Sequence, residues 1–469
     1  MKKSWLIILL TLCFKGHATV HQVGATKIYA SPYDLYLANS VQDGDTIEID
    51  AETYTGQSAL AVWEQNNLLI KGVGGRPHLV ANGQYIWGKG IWVLAGNNIT
   101  VENIEFSGAA VPDQNGAGIR LDGTGLTVRH CYFHDNENGI LTSNPYAGDI
   151  LIEFSEFNHN GYGDGYSHNV YVGHVNSLTF QFNYSHHATV GHNLKSRAKE
   201  NYVLYNRIMD EQTGNSSRLI DLPNGGLAIV MGNLIMQGEN VENSNMLGYG
   251  LEGLSNEPPH ELYTVNNTFV NKRVASCIFI AAENGTLVAN ISNNIFAGTG
   301  TMLNGTATTM DANYANTTIS DLGFVDELNY DYRLTENSPA VNYGTALNPV
   351  NGFSLTPDFM YEHPNNNSTR TTINGTIDAG AYEYNPSLSV SGLVENTALL
   401  YPNPTHNKLT IDIDATNIGT ISVFSALGQF LESSTNTNTI DLSNKPSGVY
   451  LVTIKTKNGN IINKTAIKK

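Results

Sequence analysis

Between about Leu126 and Phe296 the chain rewrites one short phrase. Leu126-Thr-Val-Arg-His-Cys-Tyr-Phe133 returns as Ile150-Leu-Ile-Glu-Phe-Ser-Glu-Phe157 and as Leu178-Thr-Phe-Gln-Phe-Asn-Tyr-Ser185. Later copies end in Asn206-Arg-Ile208, Asn233-Leu-Ile235, Asn267-Thr-Phe269 and Asn294-Ile-Phe296. Aligning Ile104, Cys131, Ser155, Asn183, Asn206, Asn233, Asn267 and Asn294 gives steps of 27, 24, 28, 23, 27, 34 and 27 residues. A period of that size means stacked supersecondary units, none able to bury its apolar face alone. Function in such a stack is expected on its long outer face.

The first eighteen residues read as a signal peptide: Lys2-Lys3, an apolar run from Trp5 to Phe14, and small residues at Gly16-His-Ala18. Cys13 raises a lipid-anchored alternative, which the bulky Leu12 before it disfavours. No later apolar stretch approaches membrane-spanning length. After cleavage only Cys131 and Cys277 remain. They lie six repeats apart, and coils stack about 4.8 Å apart, so a disulfide between them is excluded. Both are expected to be small interior hydrophobes. The formal charge of −17 argues against nucleic acid and anionic membranes as partners.

Residues 19 to about 100 read as the start of a solenoid, and Trp63, Trp87 and Trp92 are expected to be buried near its N-terminal cap. Each central repeat offers a second strand after a loop: Gly118-Ile-Arg-Leu121, Gly139-Ile-Leu-Thr142, Asn169-Val-Tyr-Val172, Asn193-Leu-Lys-Ser196 and Arg218-Leu-Ile-Asp221. Alternation stacks Ile119, Ile140, Val170, Leu194 and Leu219 inward and points their neighbours out. Strands paired between successive coils are parallel, and crossover chirality favours a right-handed path. The recurring Asn after the first strand predicts an internal amide ladder.

On these repeats the chain resembles the right-handed parallel β-helix proteins of the pectate-lyase-like superfamily, over about residues 25 to 385. Closing phrases at Leu322-Gly-Phe-Val-Asp326, Tyr332-Arg-Leu334, Ser338-Pro-Ala340 and Asp378-Ala-Gly-Ala-Tyr-Glu-Tyr384 resemble the terminal segment of secreted members. The expected fold is all-β: a right-handed parallel β-helix (a solenoid) over residues 19–385, a linker at 386–395, and a small β-sandwich-like module over 396–469. Within that module Tyr401-Pro-Asn-Pro404, Lys408-Leu-Thr-Ile411 and Pro446-Ser-Gly-Val-Tyr-Leu-Val452 resemble a type IX secretion C-terminal sorting domain of Bacteroidetes. That resemblance implies the type IX secretion machinery as a partner and a secreted or cell-surface protein; a monomer is expected.

Lys195, Arg197, Lys199, Arg207 and Arg218 place five of 25 cations within twenty-four residues. With Leu194 inward, Lys195 and Arg197 point outward about 6.5–7 Å apart. Arg218 aligns one coil further, beside Asn193 and about 5–7 Å from Lys195, and Tyr171 falls one coil earlier in Lys195's own column. Like charges on adjacent coils repel unless an anionic ligand uses them; a solvated face or ion pairs with Asp210, Glu211 and Asp221 is the structural alternative. His159, His168, His174, His186, His187 and His192 crowd the same stretch. His186 and His187 diverge on a strand and no HxH or HExxH pattern occurs, which argues against zinc there. His168 and His192, just before Asn169 and Asn193, should stack one coil apart. No cofactor is demanded; Asp164, in Asn160-Gly-Tyr-Gly-Asp-Gly-Tyr166, is a candidate for calcium, and equally a turn residue.

Lyases of uronic-acid polymers remove the proton at C5 and expel the C4 oxygen, after the neighbouring carboxylate has been neutralised. A Lys flanked by cations gives up its proton more readily. The pattern therefore proposes Lys195 as base, Arg197 or Arg218 as carboxylate clamp, and His168, His192 or Tyr171 as proton donor to the leaving oxygen. Asn169, Asn193, Asp221 and Glu252, the last in Tyr249-Gly-Leu-Glu-Gly253, complete the expected substrate-binding set. The resemblance to β-helix lyases implies the same use of Lys and Arg on an anionic polysaccharide. A polygalacturonase-type hydrolase, a uronate C5-epimerase and a non-catalytic carbohydrate-binding surface protein remain the alternatives. The resemblance of the C-terminal module carries its own expectation: a chain truncated before Tyr401 folds but stays in the periplasm, as cell fractionation and immunoblotting would show, and normal extracellular delivery of that chain would reject it.

Overall fold

The computed structural model describes residues 18–386 and 400–469, apart from positions 374, 414, 427, 428, 436 and 458–460. The expected signal peptide, save Ala18, and the expected linker, save Pro386, lie outside the described residues. By contact density the chain divides into two units, one ending at Tyr384 and one beginning at Asn385.

The first unit is a parallel β-solenoid of three sheets. The first sheet has 12 strands, from Val20–Val23 to Thr309–Asp311; the second has 11, from Thr53–Thr55 to Tyr314–Asn316; the third has 10, from Ala61–Trp63 to Gly300–Asn304. Each coil thus contributes three strands where the repeat suggested two. The apolar phrase is broken in its middle: Leu126–Arg129 belongs to the first sheet and Tyr132–His134 to the second. The break is a residue in the left-handed region, His130 (φ 54°), and Phe154, Phe182, Tyr205, Asn266 and Asn293 repeat it at φ between 50° and 59°. One left-handed residue redirects the strand without ending the apolar pattern, so periodicity alone could not show the corner.

The residue after each corner carries the amide ladder. Asn206 N–H and Nδ2 donate to Asn233 Oδ1 at 2.8 and 2.9 Å. Asn233 repeats this on Asn267 at 2.9 and 2.9 Å, and Asn267 on Asn294 at 2.9 and 3.1 Å. Toward the N-terminus the ladder thins to Ser155 N–H on Asn183 Oδ1 and Cys131 N–H on Ser155 Oγ. From the second sheet a buried column of rings stacks coil on coil: Phe106 on Phe133 and Phe133 on Phe157, each at 5.0 Å and 3° between planes. Cys131 and Cys277 are both buried free thiols.

Helix Pro32–Ala38 lies at the N-terminal end of the stack, started by Ser31, whose hydroxyl accepts from Asp34 N–H, and packed through buried Leu35. Trp63 and Trp92 are buried edge to face at 5.7 Å, as expected, whereas Trp87 is exposed on the surface. Trp87 sits at a left-handed turn (φ 51°) outside any strand, so no inward alternation governs it. The closing phrases supply a second core of Leu322, Tyr332, Leu334, Ala340, Ala379 and Tyr382. The C-terminal unit has a three-stranded and a four-stranded antiparallel sheet around Leu409, Ile421, Ile440, Val452 and Ile454.

Replacing Asn233 by Ala strands the Asn206 N–H and the Val203 carbonyl, both buried, while Asn267 Oδ1 keeps the backbone N–H of residue 233. Each buried orphan costs about 1–3 kcal/mol. The Asn233→Ala chain should therefore lose about 3 kcal/mol or more in chemical denaturation, with the solenoid circular-dichroism signature retained.

Candidate active site

The outer face of the third sheet carries the site, and its geometry starts from a second line of buried amides. Asn136 Nδ2 donates to Asn160 Oδ1, Asn160 Nδ2 to Asn169 Oδ1 and Asn169 Nδ2 to Asn193 Oδ1, each at 2.9 Å. Asn169 and Asn193 are fully buried. They were expected to bind substrate; their amides instead face inward, and the fold rather than a ligand uses them.

The residue before each of these two amides is a histidine, and the locked amides bring the imidazoles into register. His168 and His192 stack at 4.8 Å with 5° between planes. His192 N–H donates to His168 Nδ1 at 2.9 Å, and Arg218 N–H donates to His192 Nδ1 at 3.0 Å. A backbone amide can only donate, so both Nδ1 atoms are acceptors and both Nε2 atoms carry the proton. Gly191 makes room for this stacking: a Cβ there would stand 1.8 Å from the Ser167 carbonyl oxygen. Burial, with His192, Lys195 and Arg197 nearby, holds the His168 pKa well below the ordinary imidazole value. Burial, reinforced by Lys195 and Arg218, holds His192 down at about 3.

The His column corrects one register. Arg218 lies in the column of His168 and His192, and the strand pairing sets Ile220 on Leu194 and Asp221 on Lys195. Ile220, not Leu219, continues the inward column, and Asp221, not Arg218, is Lys195's direct neighbour. Tyr171 does pair with Lys195 from the preceding coil.

Lys195 Nζ lies 2.5 Å from Glu252 Oε1 and 3.4 Å from Asp221 Oδ2. Arg197 Nη2 lies 2.5 Å from Glu252 Oε2, while its Nε donates to Tyr171 Oη at 2.8 Å and its Nη1 to Asn224 Oδ1 at 2.6 Å. Arg218 Nη1 donates to Asp221 Oδ1 at 3.1 Å, and His192 Nε2 stands 3.5 Å from Asp221 Oδ2. Burial alone would raise Glu252, but hydrogen bonds from Lys195 and Arg197 outweigh it and bring the carboxyl down to about 2. Burial raises the Asp221 pKa, with Arg218 and Lys195 offsetting part of the rise.

Lys195, Arg197, Arg218, His168, His192, Tyr171, Asp221 and Glu252 thus converge. Two of the five clustered cations do not: Arg207 faces Tyr184 and Glu211 on the second sheet, and Lys199 is exposed beyond the third-sheet strand. Asp210 is internal, accepting from Ser216 and Gly238 N–H. His186 and His187 do not diverge: the strand ends at His186, His187 is left-handed (φ 52°), and their Nδ1 atoms meet at 2.7 Å. Asp164 Oδ1 accepts from Tyr166 and Ser167 N–H at 2.8 and 3.3 Å, which makes it a turn residue. Asn224, fixed by donating to Ser255 Oγ at 2.7 Å, was missed as a site residue, although the segment Asp221–Gly226 was marked as lining the face.

In comparison with known proteins, residues 68–167 match the family described as right handed beta helix region and residues 399–468 match the secretion system C-terminal sorting domain. Over 122 residues the chain is 31% identical to an endo-acting ulvan lyase of Formosa agariphila, covering 24% of this chain and 23% of that protein. The crystal structure of pectate lyase Pel9A aligns at 12% identity with a TM-score of 0.43, over 79% of this chain and 97% of that one. The chain therefore carries a right-handed parallel β-helix and a C-terminal sorting domain that directs type IX export to the medium or the cell surface.

The depressed His192 pKa has a defined sign. The unfolded chain takes up a proton near 6.5 and the folded one only near 3, so the neutral imidazole's contribution is complete above about pH 6.5 and is lost as pH falls toward 3. From about pH 7 to pH 5 that single group should lower unfolding free energy by about 2 kcal/mol. In His192→Gln, whose amide oxygen can still accept from Arg218 N–H, denaturation at the two pH values should show that much less acid sensitivity.

Proposed function

We propose that this protein is a polysaccharide lyase that cleaves a uronic-acid-containing polysaccharide by β-elimination on the outer face of the third sheet. The observation that carries the reading is the Glu252 carboxylate, gripped by Lys195 and Arg197 at 2.5 Å each. That grip supports reading the two cations as a receptor of carboxylate dimensions, with the Nε2–H groups of two neutral imidazoles next to it. Partly exposed Glu252 comes from a loop, whereas Lys195 and Arg197 come from a strand and its end. The receptor is therefore the more rigid partner. The stretch of identity to an ulvan lyase supports a lyase in kind.

In the reaction, the uronate carboxylate takes Glu252's place on Arg197, whose guanidinium is already oriented by Tyr171 and Asn224. Once Glu252 has left and the Lys195 ammonium has given one proton to solvent, the amine takes the C5 proton. The C5–H electron pair forms the C4–C5 double bond, the C4–O4 bond breaks, and O4 receives a proton from Tyr171, whose hydroxyl accepts from Arg197 Nε and can donate its own hydrogen. The Nε2–H groups of the neutral His168 and His192 hydrogen-bond the departing oxygen. Arg197 and Arg218 stabilise the charge that develops on the carboxylate.

A hydrolase is the second reading, because Asp221 and Glu252 form a carboxylate pair whose environments push their pKa values apart. Asp221 is fully buried behind Lys195, however, and so cannot reach a glycosidic oxygen. The geometry favours the lyase.

Purified protein incubated with a panel of uronic-acid polysaccharides should generate ultraviolet absorbance from the unsaturated product. New reducing ends without that absorbance would transfer the assignment to the hydrolase. Lys195 is nearly buried and pairs with buried Asp221, so Lys195→Ala can perturb the fold, and Lys195→Arg is the cleaner variant. It keeps the charge beside Asp221 but cannot serve as a base. Both variants should be inactive, with the melting temperature of Lys195→Arg preserved. Arg197→Ala should lower kcat by about 10²–10³-fold. A fully active Lys195→Arg enzyme would remove the proposed base.

A further inference from the structure

The second sheet, on a different outer face of the solenoid, brings together His78, Glu105 and His134, one from each of three successive coils. Their ligand atoms all lie within 4.8 Å of one another. Glu105 Oε1 stands 3.4 Å from His78 Nε2 and 3.1 Å from His134 Nε2. Two ligands on a tetrahedral zinc, at about 2.0–2.1 Å from the metal, are separated by about 3.4 Å. Both Glu105 distances are close to that separation.

A second observation concerns the proton on His134. Its Nδ1 lies 2.7 Å from Asp135 Oδ2, and a carboxylate at that distance takes the imidazole hydrogen. With that hydrogen on Nδ1, Nε2 is the nitrogen that faces the Glu105 carboxylate, 3.1 Å away, and the atom a cation between them would bind. A carboxylate on the far nitrogen of a ligating His is also the arrangement that fixes the tautomer for metal binding. Tyr132 stacks on the His134 ring at 4.5 Å and holds its plane. His78 Nε2 is 2.7 Å from Ser107 Oγ, which lies in the same column as His134 and places a hydroxyl beside the ligand set.

We propose that His78, Glu105 and His134 bind one zinc-class divalent cation, which staples three coils together on the outer face of the second sheet. His78 and His134 give Nε2, Glu105 gives a carboxylate oxygen, Asp135 orients His134, and Ser107 or water completes the shell. Nitrogen and oxygen donors of this kind suit zinc better than calcium. The site is built from side chains that the lyase reading does not use.

The test takes the full chain, stripped with EDTA and titrated with zinc chloride by isothermal calorimetry. One equivalent should bind saturably, raise the melting temperature, and be released again by EDTA. His78→Ala, His134→Ala and the near-isosteric Glu105→Gln should each abolish that equivalent, the last with the apo fold unchanged. Asp135→Asn should weaken it by about 10–100-fold, whereas His159→Ala and His187→Ala should leave it intact. Absence of saturable binding would overturn the site, leaving His134 as a hydrogen-bond partner of Asp135 and Glu105 only. Undiminished binding in the His78→Ala/His134→Ala chain would overturn it too, by moving the metal to other histidines.

Discussion

A chain that turns a corner in every coil must find an acceptor for the backbone amide at that corner, because the corner lies in the interior and no water reaches it. Here the acceptor is the carboxamide of the next coil's Asn. One side chain meets three demands: Oδ1 accepts from the neighbouring coil's N–H and Nδ2, while its own Nδ2 reaches a strand carbonyl, as Asn206 does with Phe180 at 2.7 Å. Aspartate lacks the donors, and glutamine is a methylene too long to sit at the same place. Once the amides are locked, the register of all three sheets is fixed, and so are the columns that stack phenylalanines inside and functional groups outside.

The candidate active site is a variation on that device. At the corner leading into the third sheet, the interior amides Asn169 and Asn193 are preceded by His168 and His192, whose Nδ1 atoms accept the amides of His192 and Arg218. An imidazole used as a backbone acceptor has its other nitrogen committed to carrying hydrogen. The fold thereby sets the tautomer, and burial among cations keeps the ring neutral. Two oriented neutral N–H donors follow from the same constraint that holds the coils together. The column ends at Arg218, which cannot accept, and there the chain turns to charge.

How much of this was legible follows from what periodicity can and cannot encode. The solenoid, the Asn ladder and the stacking of His168 on His192 are written in the repeat, because each is a consequence of equal spacing. The register at Arg218 was not. Leu219 and Ile220 are consecutive apolar residues, both fully buried, and such a doublet leaves the phase of a two-residue alternation undefined. Corners made by left-handed His130 or Phe154 carry no Gly or Pro to announce them, so three strands read as two. Asn169 and Asn193 were placed outside because an asparagine next to cations looks like a ligand contact, and only the coil-to-coil bonds show it facing in. His78, Glu105 and His134, 27 and 29 residues apart, match no short metal motif. A solenoid gathers ligands across coils, so their spacing is the repeat itself.

The cation patch also resolves differently from a count of charges. Lys195, Arg197 and Arg218 look like an unscreened positive cluster, yet Asp221 beneath and Glu252 above leave the group one charge positive while both imidazoles are neutral. The two carboxylates are not equivalent. Asp221 is fully buried and held by Arg218 and Lys195 together, and a buried charge that loses one partner is costly; its place is structural. Glu252 is two-fifths exposed and can trade its two short bonds for hydration at modest cost. A site that must release one anion to admit another needs this division: an inner carboxylate that keeps the cations in place, and an outer one weakly enough anchored to leave. On the proposed lyase reading, departure of Glu252 leaves the patch two charges positive while Lys195 is still protonated and one once it has become the base, on a protein of net charge −17, so the attraction for an incoming polyanion is confined to the place where Lys195 and Arg197 would use it.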